Sequence, residues 1–533
     1  MGQVKNLHQG CLRCYGAAGS ILVPDETDVQ GLHQKRYGYN RALTRRAFMK
    51  FIIKFFPEIT IKSRVVRKQM VKQLRDNLRV LLKPIDPNIV LDREWDKLTV
   101  ETQLPEADVG AAIIEVLSNT SGIAYFLDVQ EYPLIDLADV YDKTAALWLE
   151  RLRGKTFSVR CKRSGQHSFT SLDVERDVGG LLGENSGARG VDLRNPEVQV
   201  RIEIRDQNLY IVNERFPGIG GFPLGTQESV VSLLSGGFDS TVASYLTLRR
   251  GMRTHFCFFN LGGREHELGV KEVAHFIWSK YGASSRVKFV AVPFENVVAE
   301  ILKNVDDSQM GVVLKRMMLR AATHVAQELE AQALVTGESV AQVSSQTLTN
   351  LTVIDRATDM LVLRPLITMA KGEIIRMAAE IGTEDFAARM PEYCGVISVK
   401  PTTRAKLFKI EHEETKFDMS VLTTAIAQAR YMNIDEIANE DVQHADVEIL
   451  SAPLFDAVIL DVRAPLQAER TPLRAGNIRI EKIPFYELQT KFAQLDKEKT
   501  YLLYCDKGVM SKLHAAHLVE QGFRNVKVYR PAP

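Results

Sequence analysis

The sequence predicts a multidomain chain of α/β and α+β units, and three observations carry that expectation. Its 533 residues leave room for roughly three or four domains of ordinary size, each able to bury its own core. Two distant stretches, Val230–Arg250 and Tyr501–Gln521, run from a short apolar strand through a small polar loop straight into a helix, which is how α/β crossovers begin. After the first of these, helix and strand patterns alternate as a doubly wound parallel sheet requires. From Phe51 to about Phe126, by contrast, the order is strand, helix, strand, helix, strand, that of a small α+β module.

Composition narrows the class. With 45% hydrophobic and 25% charged residues, and neither a low-complexity tract nor an internal repeat, the chain is globular rather than disordered or fibrous. No uncharged apolar run approaches the roughly 18 residues that cross a bilayer, and the first residues lack the compact apolar stretch of a secretory signal. A cytoplasmic protein without membrane contact is expected. Six cysteines, mostly far apart, do not form a disulfide framework, so an important cysteine is expected to be reactive.

The net charge of +2 is unevenly spread, because residues 1–48 hold seven Lys/Arg against three Asp/Glu. The rest is not basic, and nucleic-acid binding would have to rest on local patches. Residues 1–48 show no sustained apolar period, whereas an alternating strand starts abruptly at Met49. We therefore expect Met49 to be the functional start and 1–48 to be an extension outside the functional fold. Cys11 and Cys14 form a C-x-x-C there, but only His8 and His33 stand near, at spacings no common zinc module uses. No permanent metal site is expected.

Two basic features follow. In the helix expected from about Ser63 to Leu82, Arg64, Lys68, Lys72, Arg75, Arg79 and Lys83 share one arc, while Val71, Leu74, Leu78 and Leu81 share the next. Alone, such a stripe reads more readily as a solvated face than as a binding surface. A second cluster lies between Arg151 and Arg176, with seven Lys/Arg and two acids, and Phe157, His167 and Phe169 are interleaved with Lys162 and Arg163. Cations for phosphates beside rings that stack on bases suit looped or single-stranded RNA. With Val191-Asp192-Leu193-Arg194-Asn195-Pro196 and the strand Val198–Ile204, this segment resembles the THUMP domain, an RNA-binding module of tRNA-modifying enzymes. Candidate RNA-binding residues are Lys68, Lys72, Arg75, Arg79, Lys162 and Arg163. We place a ferredoxin-like module at 49–106 and the THUMP domain at 107–217.

After the glycine-rich connector 218–225, the strand Val230–Leu234 runs into Ser235-Gly236-Gly237-Phe238-Asp239-Ser240 and a helix. Glycines that let backbone N–H groups approach, together with a helix N-terminus, make an anion cradle. The loop is neither a Walker A motif nor a dinucleotide fingerprint. It resembles the PP-loop of the ATP pyrophosphatases, which cleave ATP between the α and β phosphates and adenylate a substrate oxygen. The resemblance implies that Ser235, Gly236, Gly237 and Ser240 bind the pyrophosphate portion of ATP, that Asp239 acts near Mg²⁺ and phosphate, and that Leu233 and Leu234 meet the adenosine. Later motifs that match one PP-loop family further imply Lys315, Gly337 and Gln346 at the ATP site and Lys371 as the residue that would balance charge building on the α-phosphate. This domain is placed at 218–450.

Near the end, Tyr501-Leu502-Leu503-Tyr504 is an apolar strand ending in Cys505-Asp506-Lys507-Gly508-Val509-Met510-Ser511 before a helix. Backbone N–H groups and the positive helix end around the sulfur would stabilise its thiolate. With Asp456–Arg463 and Gly522–Val526, the segment 451–533 resembles a rhodanese domain, whose loop cysteine carries a persulfide. THUMP, PP-loop and rhodanese in this order resemble the tRNA 4-thiouridine synthase family, the tRNA sulfurtransferases of the thiamine and 4-thiouridine pathways. That family implies Cys505 as persulfide carrier and Cys394, in Met390-Pro391-Glu392-Tyr393-Cys394-Gly395, as its disulfide partner. It further implies tRNA uridine 8 as substrate, ATP and Mg²⁺, a cysteine desulfurase as sulfur donor, a thiamine sulfur-carrier protein as second acceptor and a reductant for the disulfide. A homodimer is left open. Another PP-loop ligase would leave the rhodanese-like end without a task. An RNA-binding protein with degenerate catalytic domains would not need Asp239, Lys371, Cys394 and Cys505.

Overall fold

The computed structural model describes residues 49–531 apart from 94–96, 262, 389, 391–399, 438–446, 455, 464–467, 470, 477 and 507. Cys394 and the extension 1–48 lie outside the described residues. The described elements form three sheets.

The first sheet serves both α+β units. Its strands are β1 (Met49–Phe55), β2 (Val90–Arg93), β3 (Leu98–Thr102), β4 (Ile123–Pro133), β5 (Thr156–Ser164), β6 (Gly190–Val191), β7 (Val198–Arg205) and β8 (Asn208–Pro217), in the order β2-β3-β1-β4-β8-β7-β5-β6. Helices α1 (Arg64–Leu82) and α2 (Glu106–Asn119) pack on Phe51, Ile53 and Val100 through Leu74, Leu78, Ile113 and Leu117. Helices α3 (Leu137–Leu152) and α4 (Ser171–Asn185) cover Phe157, Val159, Val200 and Ile202 through Trp148, Leu152, Val178 and Leu182. The division expected at 106/107 falls at the start of α2, whose apolar face belongs to the first core.

The connector 218–225 is not a loose tether, although glycine-rich linkers usually are. Gly220 accepts from Gly122 N–H (2.8 Å) and donates to Ile123 O (2.8 Å), while Phe222 N–H donates to Arg249 O (3.0 Å) and Gly225 N–H to Gly251 O (2.8 Å). Its backbone is thus tied to the first sheet on one side and to the next domain on the other.

The second sheet contains β9 (Gln227–Leu233), β10 (Met252–Asn260), β11 (Lys288–Pro293), β12 (Ala333–Val335), β13 (Leu361–Leu363) and β14 (Arg430–Asn433), ordered β13-β12-β9-β10-β11-β14. All neighbours are parallel except β14 against β11. The helices are α5 (Phe238–Arg249), α6 (Gly263–Ile277), α7 (Glu295–Asn304), α8 (Met310–Glu328), α9 (Leu348–Asp355), α10 (Lys371–Ile381), α11 (Leu407–Glu414) and α12 (Met419–Ala427). Helices α5 and α6 share one core and α7 and α8 the other, so both faces of the sheet are covered. From β9 the chain moves outward to β10 and β11, then returns on the far side as β12. The switch point between β9 and β12 opens a crevice at the strand C-termini, where ligands of doubly wound sheets bind.

The third sheet, β15 (Ile449–Leu450), β16 (Val458–Asp461), β17 (Ile480–Lys482), β18 (Tyr501–Tyr504) and β19 (Val526–Tyr529), is parallel throughout, with helices α13 (Phe485–Phe492) and α14 (Val509–Glu520). Helix α14 faces α6 of the preceding domain, through Arg264 Nη2 donating to Glu520 Oε1 (2.7 Å) and a buried His514–Glu272 pair.

Candidate functional site

Helix α5 starts at Phe238, three residues before the expected Thr241, with Gly237 at its N-cap. Asp239 and Ser240 therefore sit inside the first helical turn rather than in the loop. The reversal needs Gly236 at φ +84°, a left-handed conformation that costs a residue with a Cβ about 1–2 kcal/mol. Ser240 Oγ accepts from Ser235 N–H (3.2 Å), lies 3.2 Å from Ser235 Oγ and donates to Gly237 O (3.2 Å), closing the loop on itself. Leu234 is buried in the core and its N–H donates to Cys257 O (2.9 Å), while Leu233 is half-buried against the opposite core.

The crevice brings together residues distant in sequence. Lys371 Nζ, at the start of α10, donates to Asp239 Oδ1 (2.8 Å), and Gln342 Nε2 donates to Asp239 Oδ2 (2.7 Å). Across the crevice Lys315 of α8 donates to Glu338 Oε1 (2.5 Å), and Arg364 and Thr336 donate to Glu338 Oε2 (2.8 and 3.0 Å). Burial opposes ionisation of Glu338, but Lys315 and Arg364 overcome it and hold its pKa at about 2. The carboxylate is thus charged throughout the neutral range and fixes both cations. His266 of α6 reaches Ser235 O at 3.4 Å, and its burial lowers its pKa, so it stands there neutral at neutral pH.

Gly337 lies between these groups and shows why glycine is required. A Cβ there would sit 2.6 Å from the Asp239 carbonyl carbon and 2.7 Å from Ser240 N, against rigid backbone. Gly337→Ala is expected to push strand end and helix apart by a few tenths of an ångström or more. It should lower turnover by about 100-fold, as misplacement at a reacting centre does. Steady-state kinetics beside a thermal melt checks this, and unchanged turnover would show that the approach is not needed. Gln346 ends a short 3₁₀ turn (Ser344–Gln346), is buried, and its Oε1 has no partner among the described residues.

Cys505 follows β18, and α14 begins at Val509 rather than at the expected Lys512, because Gly508 at φ +72° turns the chain into the helix at once. Ser511 therefore lies in the first turn, and its N–H donates to Cys505 Sγ (3.3 Å). The thiol lies near Ser511 Oγ as well (3.5 Å). Beneath the loop, Arg463 is buried and donates to Asp461 Oδ1 (2.8 Å) and Oδ2 (2.7 Å) and to Asp506 Oδ1 (2.6 Å). Burial disfavours its charge, yet Asp461 and Asp506 raise its pKa further. This network fixes the residue next to the cysteine. The other described cysteines, Cys161 and Cys257, have pKa values pushed up by burial to about 12 and are poor nucleophiles.

The basic candidates are spread over two faces. Lys68, Lys72 and Arg79 on α1 are exposed, while half-buried Arg75 shares Asp76 with Arg79, at 3.2 and 3.5 Å. Lys162 is exposed, and Arg163, its neighbour on β5, donates to Gly165 O (3.1 Å) and meets His167 Nδ1 (2.7 Å), whose ring stacks on Phe169. Arg163 is therefore partly committed to holding its own turn. Sequence reading missed Glu338, Gln342, Asp461, Arg463 and Asp506. Each is polar at the C-terminal end of a parallel strand or in the loop after it, and all but Asp506 are buried or half-buried, which is the available signal. Among the described residues no helix is long and apolar enough to cross a membrane, and no group of three or more His, Cys, Asp or Glu is placed to hold a metal ion.

One chain thus combines a glycine loop at a switch point, a thiol at a helix N-terminus and an α+β sheet flanked by exposed cations. Family models agree domain by domain: the ThiI ferredoxin-like domain matches residues 50–126, the THUMP domain 135–213, the thiamine biosynthesis protein (ThiI) 225–419 and the rhodanese-like domain 446–531. The tRNA sulfurtransferase of Azotobacter vinelandii is 56% identical over 484 residues, which is 91% of this chain and 100% of that protein, and that of Pseudomonas putida is 55% identical over 483 residues with the same coverage. The chain belongs to the tRNA sulfurtransferase family. A crystal structure of a 4-thiouridine synthetase–RNA complex with bound ATP is similar too, at 25% identity and a TM-score of 0.63, covering 72% of this chain and 99% of that one.

Proposed function

We propose that this chain uses ATP to activate uridine 8 of tRNA and replaces its O4 by sulfur, giving 4-thiouridine. The observation that carries the reading is the Lys371–Asp239–Gln342 cluster on the first turn of a switch-point helix, in a chain that presents Cys505 at another helix N-terminus. In this reading 49–106 and 107–217 hold the tRNA, 218–450 adenylates and 451–533 carries sulfur, with 1–48 outside the functional fold.

Ser235, Gly236, Gly237 and Ser240 receive the pyrophosphate portion of ATP on backbone N–H groups and hydroxyls. Lys315, Gly337, Gln346, Leu233 and Leu234 bound the nucleotide. Uridine O4 attacks the α-phosphate, the bond between α and β phosphates breaks, and pyrophosphate leaves. Lys371 stabilises the charge that builds on the α-phosphate. Asp239 fits a Mg²⁺ ion carried in with ATP, since such ions are held by one or two carboxylates plus phosphate and water. When bound, the ion would spread charge on the departing pyrophosphate.

A cysteine desulfurase then supplies the persulfide on Cys505. That sulfur, as persulfide or as hydrosulfide released from it, attacks C4, and O4 departs with AMP. Along the persulfide route Cys394 thiolate attacks Cys505 Sγ and breaks its bond to the transferred sulfur. The sulfur stays on C4, and a Cys394–Cys505 disulfide remains for a two-electron reductant to reopen. Such a bond suits the cytoplasm because it is transient. The loaded Cys505 also supplies the thiamine sulfur-carrier protein. Incubation of tRNA with the enzyme, ATP, cysteine and a desulfurase should yield 4-thiouridine by nucleoside mass analysis. Formation without ATP, or none at all, would end this reading.

The α1 stripe gives a separate prediction. Reversing charge at Lys72, Arg75 and Arg79 should weaken tRNA binding and flatten its salt dependence, because fewer phosphate counterions are released. Equal affinity at every salt concentration would make the stripe a solvated face.

A further inference from the structure

Residues 400–409, Lys-Pro-Thr-Thr-Arg-Ala-Lys-Leu-Phe-Lys, contain four cations and no acid. Lys400, Arg404, Lys406 and Lys409 are all exposed, and Phe408 is 65% exposed. Lys409 stands near Asp306, whereas Lys400, Arg404 and Lys406 are in no ion pair with a described residue. The segment is held rigidly. Asn350 is fully buried, and its Nδ2 donates to Thr402 O (2.8 Å) and Ser344 O (2.8 Å) while its Oδ1 accepts from Ala405 N–H (2.9 Å). Thr347 Oγ1 adds a bond to Thr403 O (2.8 Å). These bonds fasten the basic run to the loop that carries Gln342 and Gln346, beside the adenylation crevice.

A phenylalanine on a short helix is normally turned into the core, as Ile410 is two residues later. Here the ring is exposed within a cationic run, and Val343 and Leu348, on either side of the 3₁₀ turn, are 49% and 67% exposed. Protein-binding patches are depleted of lysine at their centres, so an exposed ring within a run that holds three lysines fits a polyanion better. An exposed ring next to a run of cations is what unstacked RNA takes: phosphates on the charges, a base on the face. A nucleotide modified at a base atom must leave its stack, and that strands a neighbouring base.

We infer that residues 400–409 form an RNA-binding surface on the catalytic domain, in which Arg404, Lys406 and Lys400 hold tRNA phosphates next to the target and Phe408 stacks on the base left unpaired beside it. The inference rests on the tRNA reading above and adds a contact outside the ferredoxin-like and THUMP units.

The test uses the full chain with R404E/K406E, Phe408→Ala and Phe408→Trp, read by tRNA binding across a salt series and by single-turnover thiolation. The charge reversal should weaken binding at least tenfold near 100 mM salt and lower the slope of log affinity against log salt by roughly 1.5, as the loss of two phosphate contacts at about 0.7–0.9 each requires. Phe408→Ala should cost about fivefold or more in affinity, as loss of one base–aromatic stack does, and Phe408→Trp should restore it. ATP binding and persulfide loading of Cys505 should stay at wild-type level in all three. Wild-type tRNA affinity and slope in R404E/K406E, with a wild-type enzyme that does thiolate tRNA, would overturn the inference and leave the function standing. Loss of desulfurase-dependent loading with tRNA binding intact would overturn it in favour of a protein partner. If the wild-type enzyme itself fails to thiolate tRNA, the underlying reading is at fault.

Discussion

Asp239→Ala is expected to abolish ATP-dependent thiolation of tRNA, by about a thousandfold or more, while tRNA affinity stays within a factor of about two. The size of the effect follows from what the carboxylate holds. Lys371 Nζ and Gln342 Nε2 both end on it, at 2.8 and 2.7 Å, so its loss releases the cation assigned to the α-phosphate as well as the acid assigned to the metal. Groups that act as a unit fail together, and Lys371→Ala should therefore lose nearly as much as the double variant. The fold should tolerate the change, because Asp239 is half-buried on the crevice and its neighbour Ser240 keeps the loop closed. Binding should survive, since the basic stripe of α1 lies on a different sheet. The measurements are 4-thiouridine formation at saturating ATP and tRNA binding by the same preparation. Normal thiolation in Asp239→Ala would remove the PP-loop assignment.

What could be read from the sequence was local. The stretches 230–240 and 501–511 were legible because strand period, loop and helix onset lie within about a dozen residues, where local preferences act before tertiary packing. Even there the helices begin three residues earlier than expected, at Phe238 and Val509. In each case the residue before the helix is a glycine, and a capping glycine reads in sequence as a continued loop. The shift matters chemically, since it moves Asp239, Ser240 and Ser511 into first turns with their N–H groups free to meet a ligand or a sulfur.

Long-range pairings were not legible from spacing. Lys371 and Asp239 are 132 positions apart, and only the family resemblance suggested that they share a site. Lys315 was expected to reach the nucleotide, and nothing in its helix revealed that buried Glu338 would hold it, because that depends on how α8 packs beside β12. Asp76 falls on the basic stripe of α1 and pairs with Arg75 and Arg79, an interaction that a count of lysines and arginines on one arc overlooks. The connector 218–225 had the composition of a flexible link. Its backbone bonds to Ile123, Arg249 and Gly251 depend on tertiary neighbours that no local pattern records.

Replacement of Cys505 and of Cys394 should separate loading of sulfur from its delivery. Cys505 Sγ accepts the Ser511 N–H at 3.3 Å at the N-terminus of α14, and Asp506 beside it is held by Arg463, so the loop is organised to stabilise a sulfur anion and present it. Cys505→Ala removes the atom assigned to receive sulfane sulfur. Both protein-bound sulfur and tRNA thiolation should fall to background, while ATP and tRNA binding persist. Cys394 is assigned a step after loading, so Cys394→Ala should still take up one sulfane sulfur on Cys505 yet fail to turn over on tRNA. Supply of the thiamine carrier protein should survive in Cys394→Ala, because a persulfide can pass to an external acceptor without that internal thiol. Mass spectrometry of each variant after incubation with desulfurase and cysteine, run beside a nucleoside assay, distinguishes the cases. A persulfide on Cys394 in the Cys505→Ala protein, with tRNA still modified, would reverse the two roles. Full multiple-turnover thiolation by Cys394→Ala would instead show that sulfur leaves Cys505 without a disulfide on this chain.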